Sequence, residues 1–349
     1  NIYFIHPNKR GSRIGYGDVV VDAFEKTVNF IEERSYDVVH LLQVDNLLVE
    51  SSIVLNSTND LPPIVAQING AFFGTKKTRW VPDIYKPLSR MLSSPLRPVV
   101  KAMLLRRKGR RVVKDVSLRK CMEDSVFKNL LVHTNAAKEY VSDLGNYTTP
   151  ITVVPEPSTV DSPELSKERA RQKLGLDPED TVLLFFGGLR DQKGISRLLR
   201  SLKNYNGPDF TLLIAGPERS VTKEELQGVE NEIVPSLSTD IRYIYDSEPY
   251  FIASDGVICP YLEGFGEERT SHVLQEAIKL KRPVICPSFG SFESRLNNYD
   301  MGVLYSPNTA EELNEAISDF VSNPNKWYST DDMSSFSEKH SFESLTSVL

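Results

Sequence analysis

The amino-acid sequence predicts an α/β protein with two Rossmann-like domains, whose parallel sheets face each other across a central cleft. A chain of 349 residues is long for one hydrophobic core and suits two. Short apolar, β-branched runs alternate with helical patterns, which is typical of βαβ units and parallel sheets. The candidate strands are Ile2–Ile5, Asp37–Leu42, Ile64–Ile68, Asn129–Val132, Ile151–Val154, Thr181–Phe186, Phe210–Ala215, Ile241–Tyr245, Gly256–Cys259 and Pro283–Cys286.

The intervening helices are predicted from apolar residues at three- and four-residue spacing. The clearest example runs from Leu313 to Phe320, where Thr309 and Glu312 have the spacing of an N-terminal capping box. A polar, proline-rich stretch at residues 155–164 is predicted to be the linker between the domains.

The domain assignment follows from that linker. We expect an N-terminal domain at residues 1–152, a C-terminal domain at 153–325, and a C-terminal helix within 326–349 that crosses back to the first domain. Only one helix separates the first two candidate strands, so we expect the first domain to lack one or two N-terminal βα units with their glycine loop. Alternatively, that loop is Gly11–Gly17.

Composition excludes several classes of protein. Three cysteines, Cys121, Cys259 and Cys286, give neither a disulfide framework nor zinc-ligand spacing, which favours a reducing cytoplasm. No apolar run approaches the roughly 20 residues that cross a bilayer. The five histidines have no metal-ligand spacing either.

A glycine-rich turn follows the strand that ends at Phe186. It runs from Gly187 to Gly194 and includes Gly188, Arg190 and Lys193. Glycines let backbone N–H groups approach an anion, the following helix adds a partial positive charge, and the two cations suit a diphosphate. Taken alone, an ordinary strand-to-helix turn with two solvated cations explains this segment equally well.

A second candidate segment precedes and opens the helix around residues 270–280. Thr270 is a plausible N-cap, which leaves the N–H groups of Ser271, His272 and Val273 available to phosphate oxygens. Glu276 falls at the border of the apolar arc, where a carboxylate needs a hydrogen-bond partner such as a ribose hydroxyl. Glu268 lies just before the helix, where a phosphate-linked sugar would project, although a solvated glutamate is the simpler explanation there.

Six segments in order resemble the retaining GT-B glycosyltransferases of family 4. In the first half, residues 37–40, 64–70 and 132–134 look like strand ends of that family's acceptor domain. The segments of the second half are residues 186–194, 212–216, 255–260, 268–277, 282–285 and 302–307.

This resemblance implies transfer of a sugar, with retention and without a metal or other cofactor, from a UDP- or GDP-sugar to a glycan or lipid-linked acceptor. By position in the family, Lys193 holds the diphosphate with Arg190, Glu276 holds the ribose, and Glu268 contacts the sugar near the reacting carbon. Stabilisation of the leaving diphosphate by these cations and the helix N-terminus replaces the charge of a metal.

Two positions depart from the family pattern. The family usually has an arginine where Gly188 stands, so Arg190 must substitute for it. The histidine before a glycine is Asn69 here, which keeps a polar contact without proton transfer. These departures leave open a non-catalytic nucleotide-sugar-binding protein. A further alternative keeps the fold but changes the chemistry, to an epimerase or phosphorylase. The segment that begins at Glu263 also resembles the family motif in which a first glutamate precedes a second one. Glu268 has the better spacing to Glu276 and is preferred as the first glutamate.

The charge is concentrated in residues 74–120, which hold fifteen lysines and arginines against two aspartates, although the whole chain has a net charge of −6. Within it, residues 96–111 combine an amphipathic helical pattern with a cationic run. This favours a helix on an anionic membrane surface, and hence a cytoplasmic enzyme at the inner face of the membrane. The alternative is that the apolar stripe packs into the acceptor domain. Nucleic acid is not expected as a partner, because no aromatic residues alternate with these cations as in stacking platforms.

Overall fold

The computed structural model describes residues 26, 28–34, 36–41, 44, 48–55, 58, 61–68, 107–157, 165–230, 232–233, 235–263 and 270–348. The chain divides into two compact units, Asn1–Val154 and Pro155–Leu349. Each unit has its own parallel sheet, which confirms the predicted α/β class. The division falls at the start of the proline-rich stretch that was predicted as the linker.

The first unit contains a four-stranded parallel sheet in the order β1-β2-β3-β4. Its strands are β1 (Val39–Leu41), β2 (Ile64–Ile68), β3 (Asn129–Val132) and β4 (Ile151–Val153). Its helices are α1 (Leu48–Val54), α2 (Arg107–Glu123) and α3 (Asn135–Ser142). The Thr134 hydroxyl at the N-cap of α3 accepts a hydrogen bond of 3.0 Å from the amide of Ala137, so this helix begins directly after β3.

Helix α2 crosses the core of the first unit. Its second half is buried, with Val116 and Leu118 fully enclosed. The cationic residues 107–111 therefore form the first turns of a helix whose later turns pack into this unit. The predicted amphipathic segment at residues 96–106 lies outside the described residues.

The second unit contains a six-stranded parallel sheet in the order β10-β9-β8-β5-β6-β7. Its strands are β5 (Val182–Phe186), β6 (Thr211–Ala215), β7 (Ser236–Asp240), β8 (Gly256–Ile258), β9 (Val284–Pro287) and β10 (Gly302–Tyr305). Its helices are α4 (Lys167–Leu174), α5 (Ile195–Leu202), α6 (Lys223–Val229), α7 (Glu248–Ala253), α8 (His272–Lys279), α9 (Gly290–Leu296), α10 (Ala310–Ser322), α11 (Thr330–Lys339) and α12 (Phe342–Val348). The capping box predicted from Thr309 and Glu312 is confirmed at the start of α10.

The strand order reverses between β5 and β8. From β5 the chain proceeds outward to β6 and β7, and from β8 it proceeds the other way to β9 and β10, while β5 and β8 pair in parallel through Leu183 and Gly256. Ligands of open α/β sheets bind at the carboxyl ends of the strands at such a switch point. The segments that follow β5 and β8 are the ones in which the sequence predicted a site.

A polar network at the amino ends of the two strands joins β8 to β5. The Asp255 carboxylate, just before β8, accepts 2.7 Å hydrogen bonds from the Arg171 guanidinium and the Val182 amide, and it also pairs with Lys167. Arg171 is buried and donates a further bond of 3.0 Å to the carbonyl of Ala253. Helix α4 is thereby joined to the ends of both central strands.

One predicted strand is wrong. Residues Ile241–Tyr245 are irregular, and the strand lies just before them at Ser236–Asp240. The β7 strand is at the edge of the sheet and, apart from Leu237, its side chains are polar, so it has no apolar pattern. Tyr243 and Tyr245 of this segment are 62% and 94% exposed.

Helix α11 packs within the second unit. Met333 and Phe336 of α11 are buried in the same apolar cluster as Leu274 and Ala277 of α8. The predicted domain boundaries stay predictions, and so does the predicted return of segment 326–349 to the first unit.

Candidate functional site

The turn after β5 is built from glycines that fold Lys193 back over the strand end. Gly187 has a φ of 101°, and a Cβ at this position would lie 2.5 Å from the Lys193 Nζ. The Lys193 ammonium donates a hydrogen bond of 3.3 Å to the carbonyl of Phe186. A glycine is therefore needed at position 187 both for the backbone angle and for the space that the ammonium occupies.

The same turn rests on the segment that follows β8. The Leu262 amide donates a hydrogen bond of 3.1 Å to the carbonyl of Gln192. The Lys193 Nζ lies 5.6 Å from the centre of the Tyr261 ring. These contacts place the glycine-rich turn and the segment leading to α8 side by side at the carboxyl edge of the sheet.

The N-terminus of α8 lies next to this contact. Ser271 is the N-cap: its hydroxyl accepts from the Leu274 amide at 3.4 Å and is 3.2 Å from the Tyr261 hydroxyl. The prediction of Thr270 as the N-cap is wrong by one residue, because the following serine takes that role. The N–H groups of His272 and Val273 are in the first turn, where no carbonyl of the same helix accepts from them. They give this end of the helix a partial positive charge.

Glu276 is a partly buried carboxylate in the first two turns of α8. Burial raises the pKa of Glu276, and a hydrogen bond from Ser247 and the charges of His272 and Lys193 oppose that rise. Its Oε2 atom is enclosed and accepts no hydrogen bond from the residues that the structure describes. A carboxylate oxygen held in this way is suited to accept a bond from a ligand hydroxyl.

His272 contacts the beginning of the second unit rather than the turn. Its Nε2 lies 3.2 Å from the Glu156 Oε1, and the imidazole is 67% exposed while the glutamate side chain is 7% exposed. The predicted contribution of His272 to phosphate binding thus rests on its backbone N–H, and its side chain holds the first residues of the unit against α8.

Two arginines flank Gly188. A Cβ on Gly188 would lie 3.8 Å from the Nε atoms of both Arg190 and Arg219. Arg190 was predicted at this site, whereas Arg219, which follows β6, was not. Nothing local in the sequence identifies Arg219, since its position depends on the pairing of β5 with β6.

Other predicted features lie outside the described residues. These are Glu268, Asn69, the candidate strand Ile2–Ile5 and the alternative loop Gly11–Gly17. Among the residues that are described, no group of three or more histidines, cysteines or acidic residues is arranged to hold a metal ion. In the same part of the chain, no helix has the length and apolarity that crossing a membrane requires.

Residues 166–339, nearly all of the second unit, match the protein family described as "Glycosyl transferases group 1". The second unit is thus a domain of this family of transferase enzymes. Solved structures agree on the fold. Sucrose-phosphate synthase from Thermosynechococcus elongatus superposes with a TM-score of 0.66 at 14% identity, over 94% of this chain and 75% of that one.

Two further solved structures share the fold. HepE of Anabaena in complex with UDP has a TM-score of 0.65 at 14% identity, over 94% of this chain and 80% of that one. WaaG, a glycosyltransferase involved in lipopolysaccharide biosynthesis, has a TM-score of 0.61 at 17% identity, over 98% of this chain and 83% of that one. The fold of the chain is therefore that of the GT-B glycosyltransferases.

Curated relatives match only a part of the chain. A putative teichuronic acid biosynthesis glycosyltransferase, TuaC of Bacillus subtilis, is 28% identical over 156 residues, which is 44% of this chain and 36% of TuaC. A D-inositol 3-phosphate glycosyltransferase of Rhodococcus jostii is 29% identical over 168 residues, which is 45% of this chain and 36% of that enzyme. The chain thus spans about a third of the length of these relatives.

Proposed function

We propose that the protein is a retaining, metal-independent glycosyltransferase of family 4 that takes its sugar from a UDP- or GDP-sugar. The observation that carries this proposal is the contact between the turn Gly187–Gly194 and the segment Pro260–Leu262 that leads to α8. It brings the Lys193 ammonium, the Glu276 carboxylate and the α8 N-terminus to one edge of the sheet. HepE, a protein of the same fold, has been solved with UDP and with UDP-glucose.

In this proposal each group binds a separate part of the donor. Lys193, Arg190 and the N–H groups at the start of α8 bind the diphosphate, for which cations and a helix N-terminus are suited. The Oε2 of Glu276 accepts a hydrogen bond from a ribose hydroxyl. Glu268 is proposed to contact the transferred sugar, and Asn69 a polar group of the sugar or acceptor.

The reaction breaks the bond between the anomeric carbon and the diphosphate oxygen. Negative charge develops on the departing diphosphate, so the cations that touch it bind the transition state more tightly than the ground state. This charge stabilisation takes the place of a divalent metal. The acceptor hydroxyl attacks on the face from which the diphosphate departs, and a diphosphate oxygen takes its proton, so the configuration is retained.

A donor panel tests the proposal. The protein is titrated with UDP-sugars and GDP-sugars while its thermal unfolding is followed, because a ligand that binds only the native state raises the melting temperature. We expect one nucleotide series to stabilise the protein and Lys193→Ala to abolish most of the shift. Lys279→Ala, which removes an ammonium from the far end of α8, should leave the shift unchanged. A protein that responds to neither series, or a response that Lys193→Ala leaves intact, contradicts the assignment.

The stereochemistry and the metal require separate measurements. Product formed from the donor identified in the panel should have the anomeric configuration of the donor by NMR, and the rate should survive excess EDTA. Inversion would remove the retaining mechanism. A rate that EDTA abolishes and that Mg²⁺ or Mn²⁺ restores would contradict the metal-independent mechanism. Turnover of the donor without any acceptor would favour the epimerase alternative.

The acceptor is proposed to be a glycan or a lipid-linked molecule at the inner face of the cytoplasmic membrane. The support is the density of cations in residues 74–120, since each lysine or arginine near an anionic surface contributes about 1 kcal/mol. Co-sedimentation with liposomes tests this. Binding should increase with the fraction of anionic lipid and decrease with salt, and equal binding to neutral and anionic liposomes would contradict it.

A further inference from the structure

Gly188 lies between two arginine side chains that come from different loops. A Cβ built on Gly188 would be 3.2 Å from the Arg219 Cγ and 3.8 Å from the Nε of each of Arg190 and Arg219. The adjacent Gly187 lies against the Lys193 Nζ. Three cationic side chains therefore approach one glycine dipeptide at the carboxyl end of β5.

Main-chain hydrogen bonds fix the loop that carries Arg219 beside the loop that carries Arg190. The Leu189 amide donates 3.0 Å to the carbonyl of Pro217, and the Leu189 carbonyl accepts from Ser220 at 2.8 Å. A Cβ on Gly216 would lie 2.3 Å from the carbonyl oxygen of Gly187, so the two strand ends are in direct backbone contact. The approach of Arg219 to Gly188 is thus a property of the paired loops rather than of one exposed side chain.

No acidic side chain in the described part of the chain forms an ion pair with Arg190 or Arg219. The neighbouring Glu218 instead accepts a hydrogen bond of 2.8 Å at its Oε1 from the Lys223 amide at the start of α6. The Arg219 guanidinium donates 2.7 Å to the carbonyl of Glu218, which leaves its charge uncompensated. Like charges held close together without a counter-ion favour binding of an anion between them.

We propose that Arg219 is a third cationic ligand of the donor's diphosphate, together with Arg190 and Lys193. Position 188 is a glycine because a side chain there would displace the stem of Arg219. This inference rests on the proposed function, since the diphosphate is the anion that the site is expected to hold. In this inference, the loop after β6 and the loop after β5 bind the diphosphate together.

Calorimetric titration with UDP and GDP tests the role of Arg219. We expect Arg219→Ala to weaken binding of the preferred nucleoside diphosphate about tenfold, as for loss of a charge-assisted hydrogen bond, and Arg219→Lys to recover part of it. The matched control is Arg169→Ala, which removes an exposed arginine from α4 and should leave the affinity unchanged. Arg219 is exposed, so its alanine variant should melt at the wild-type temperature without ligand.

A double-mutant cycle tests the role of Gly188. In the wild-type background, Gly188→Ala should weaken binding about threefold, because the methyl group forces the Arg219 stem to move. In the Arg219→Ala background, the same substitution should have no further effect, because the Cγ that it would meet is gone. Equal effects of Gly188→Ala in both backgrounds would show that the methyl group acts on the ligand or the turn directly, and would overturn the inference for Gly188.

The outcomes separate this inference from the proposed function. If Lys193→Ala weakens binding while Arg219→Ala behaves like Arg169→Ala, the inference fails and the proposed function stands. If wild-type protein binds neither UDP nor GDP, the proposed function fails together with it. Tenfold weakening by Arg219→Ala, with the control unchanged, supports both.

Discussion

A Cβ built on Gly194 would lie 1.7 Å from the carbonyl oxygen of Pro260, so the turn after β5 is in backbone contact with the segment after β8. No side chain fits between them. This contact unites the two halves of the candidate site, because Lys193 precedes Gly194 and Tyr261 follows Pro260. The glycine also has a φ of 79°, which L-residues rarely adopt.

Gly194→Ala is expected to disrupt both folding and donor binding. The methyl group meets backbone rather than a flexible side chain, so the turn or β8 must move, and we expect a loss of about 3 kcal/mol in the free energy of unfolding. The matched control is Gly175→Ala. Gly175 has a φ of 68° but nothing within 4 Å of its Cβ position, so strain alone should cost about 1 kcal/mol. Urea unfolding measures both, and equal losses would contradict the contact.

Glu276→Gln is expected to stabilise the donor-free protein while weakening donor binding. Burial raises the pKa of Glu276, so the folded state holds the proton more tightly than the unfolded chain, whose value is 4.5. Stability from this group is full below pH 4.5 and is lost as the pH rises through the raised folded pKa. At pH 8 the glutamine variant should therefore gain about 1 kcal/mol in unfolding free energy, and at pH 4 it should gain nothing.

The control for Glu276 is Glu315→Gln, an exposed carboxylate on α10, which should change neither stability nor affinity. Donor affinity is measured on the same samples. A Glu276→Gln variant that binds donor as tightly as wild type would show that the enclosed carboxylate does not contact the ligand. A variant that loses stability at pH 8 would contradict the burial argument.

Much of the second unit could be predicted from the sequence because its central strands are buried on both faces. Segments such as Val182–Phe186 are continuous apolar runs, and this pattern is characteristic of a parallel sheet. The edge strand Ser236–Asp240 has no such pattern, since its side chains are only partly covered. The more apolar segment Ile241–Tyr245 was therefore predicted as the strand, although the strand is the segment directly before it.

The site could be predicted where it depends on residues close in sequence. Lys193 and Gly187 lie in the turn after β5 and Glu276 lies in the helix after β8, because each strand-turn-helix unit is fixed locally, while their binding roles stay predictions. Arg219 was missed because its approach to Gly188 requires the pairing of β5 with β6, which single-residue patterns do not report. The N-cap at Ser271 differs from the predicted Thr270 because serine and threonine are both common N-caps, and the contact of Ser271 with Tyr261 is a tertiary feature.

Asp255→Asn is expected to destabilise the second unit strongly. The change removes the negative charge that faces the buried guanidinium of Arg171 and leaves that charge uncompensated, for which we expect a loss of about 3 kcal/mol. The same substitution at Asp246 is the control. Asp246 pairs with Lys173 at 3.7 Å, with both side chains more than half exposed, and its loss should be below about 0.5 kcal/mol. Similar losses in the two variants would contradict a structural role for the network around Asp255.

The acid stability of the second unit is expected to depend on His340 at the end of α11. Burial and the nearby Arg295 guanidinium lower the pKa of His340 from 6.5 to about 4. The imidazole stacks on Phe336 at 4.0 Å between ring centres, and its Nδ1 lies 2.9 Å from the Phe336 carbonyl, a contact that opposes only part of this lowering of the pKa.

Because the folded pKa of His340 is depressed, its contribution to stability is full above pH 6.5 and is lost as the pH falls through about 4. His340→Phe keeps the ring stack but cannot take up a proton, so it should remove about 2 kcal/mol of the decline in unfolding free energy between these pH values. Glu338→Gln, an exposed neighbour on α11, should leave the decline as it is in wild type. Urea unfolding at pH 7, 5.5 and 4 measures the slope, and an unchanged slope in His340→Phe would show that protonation of other groups governs acid unfolding.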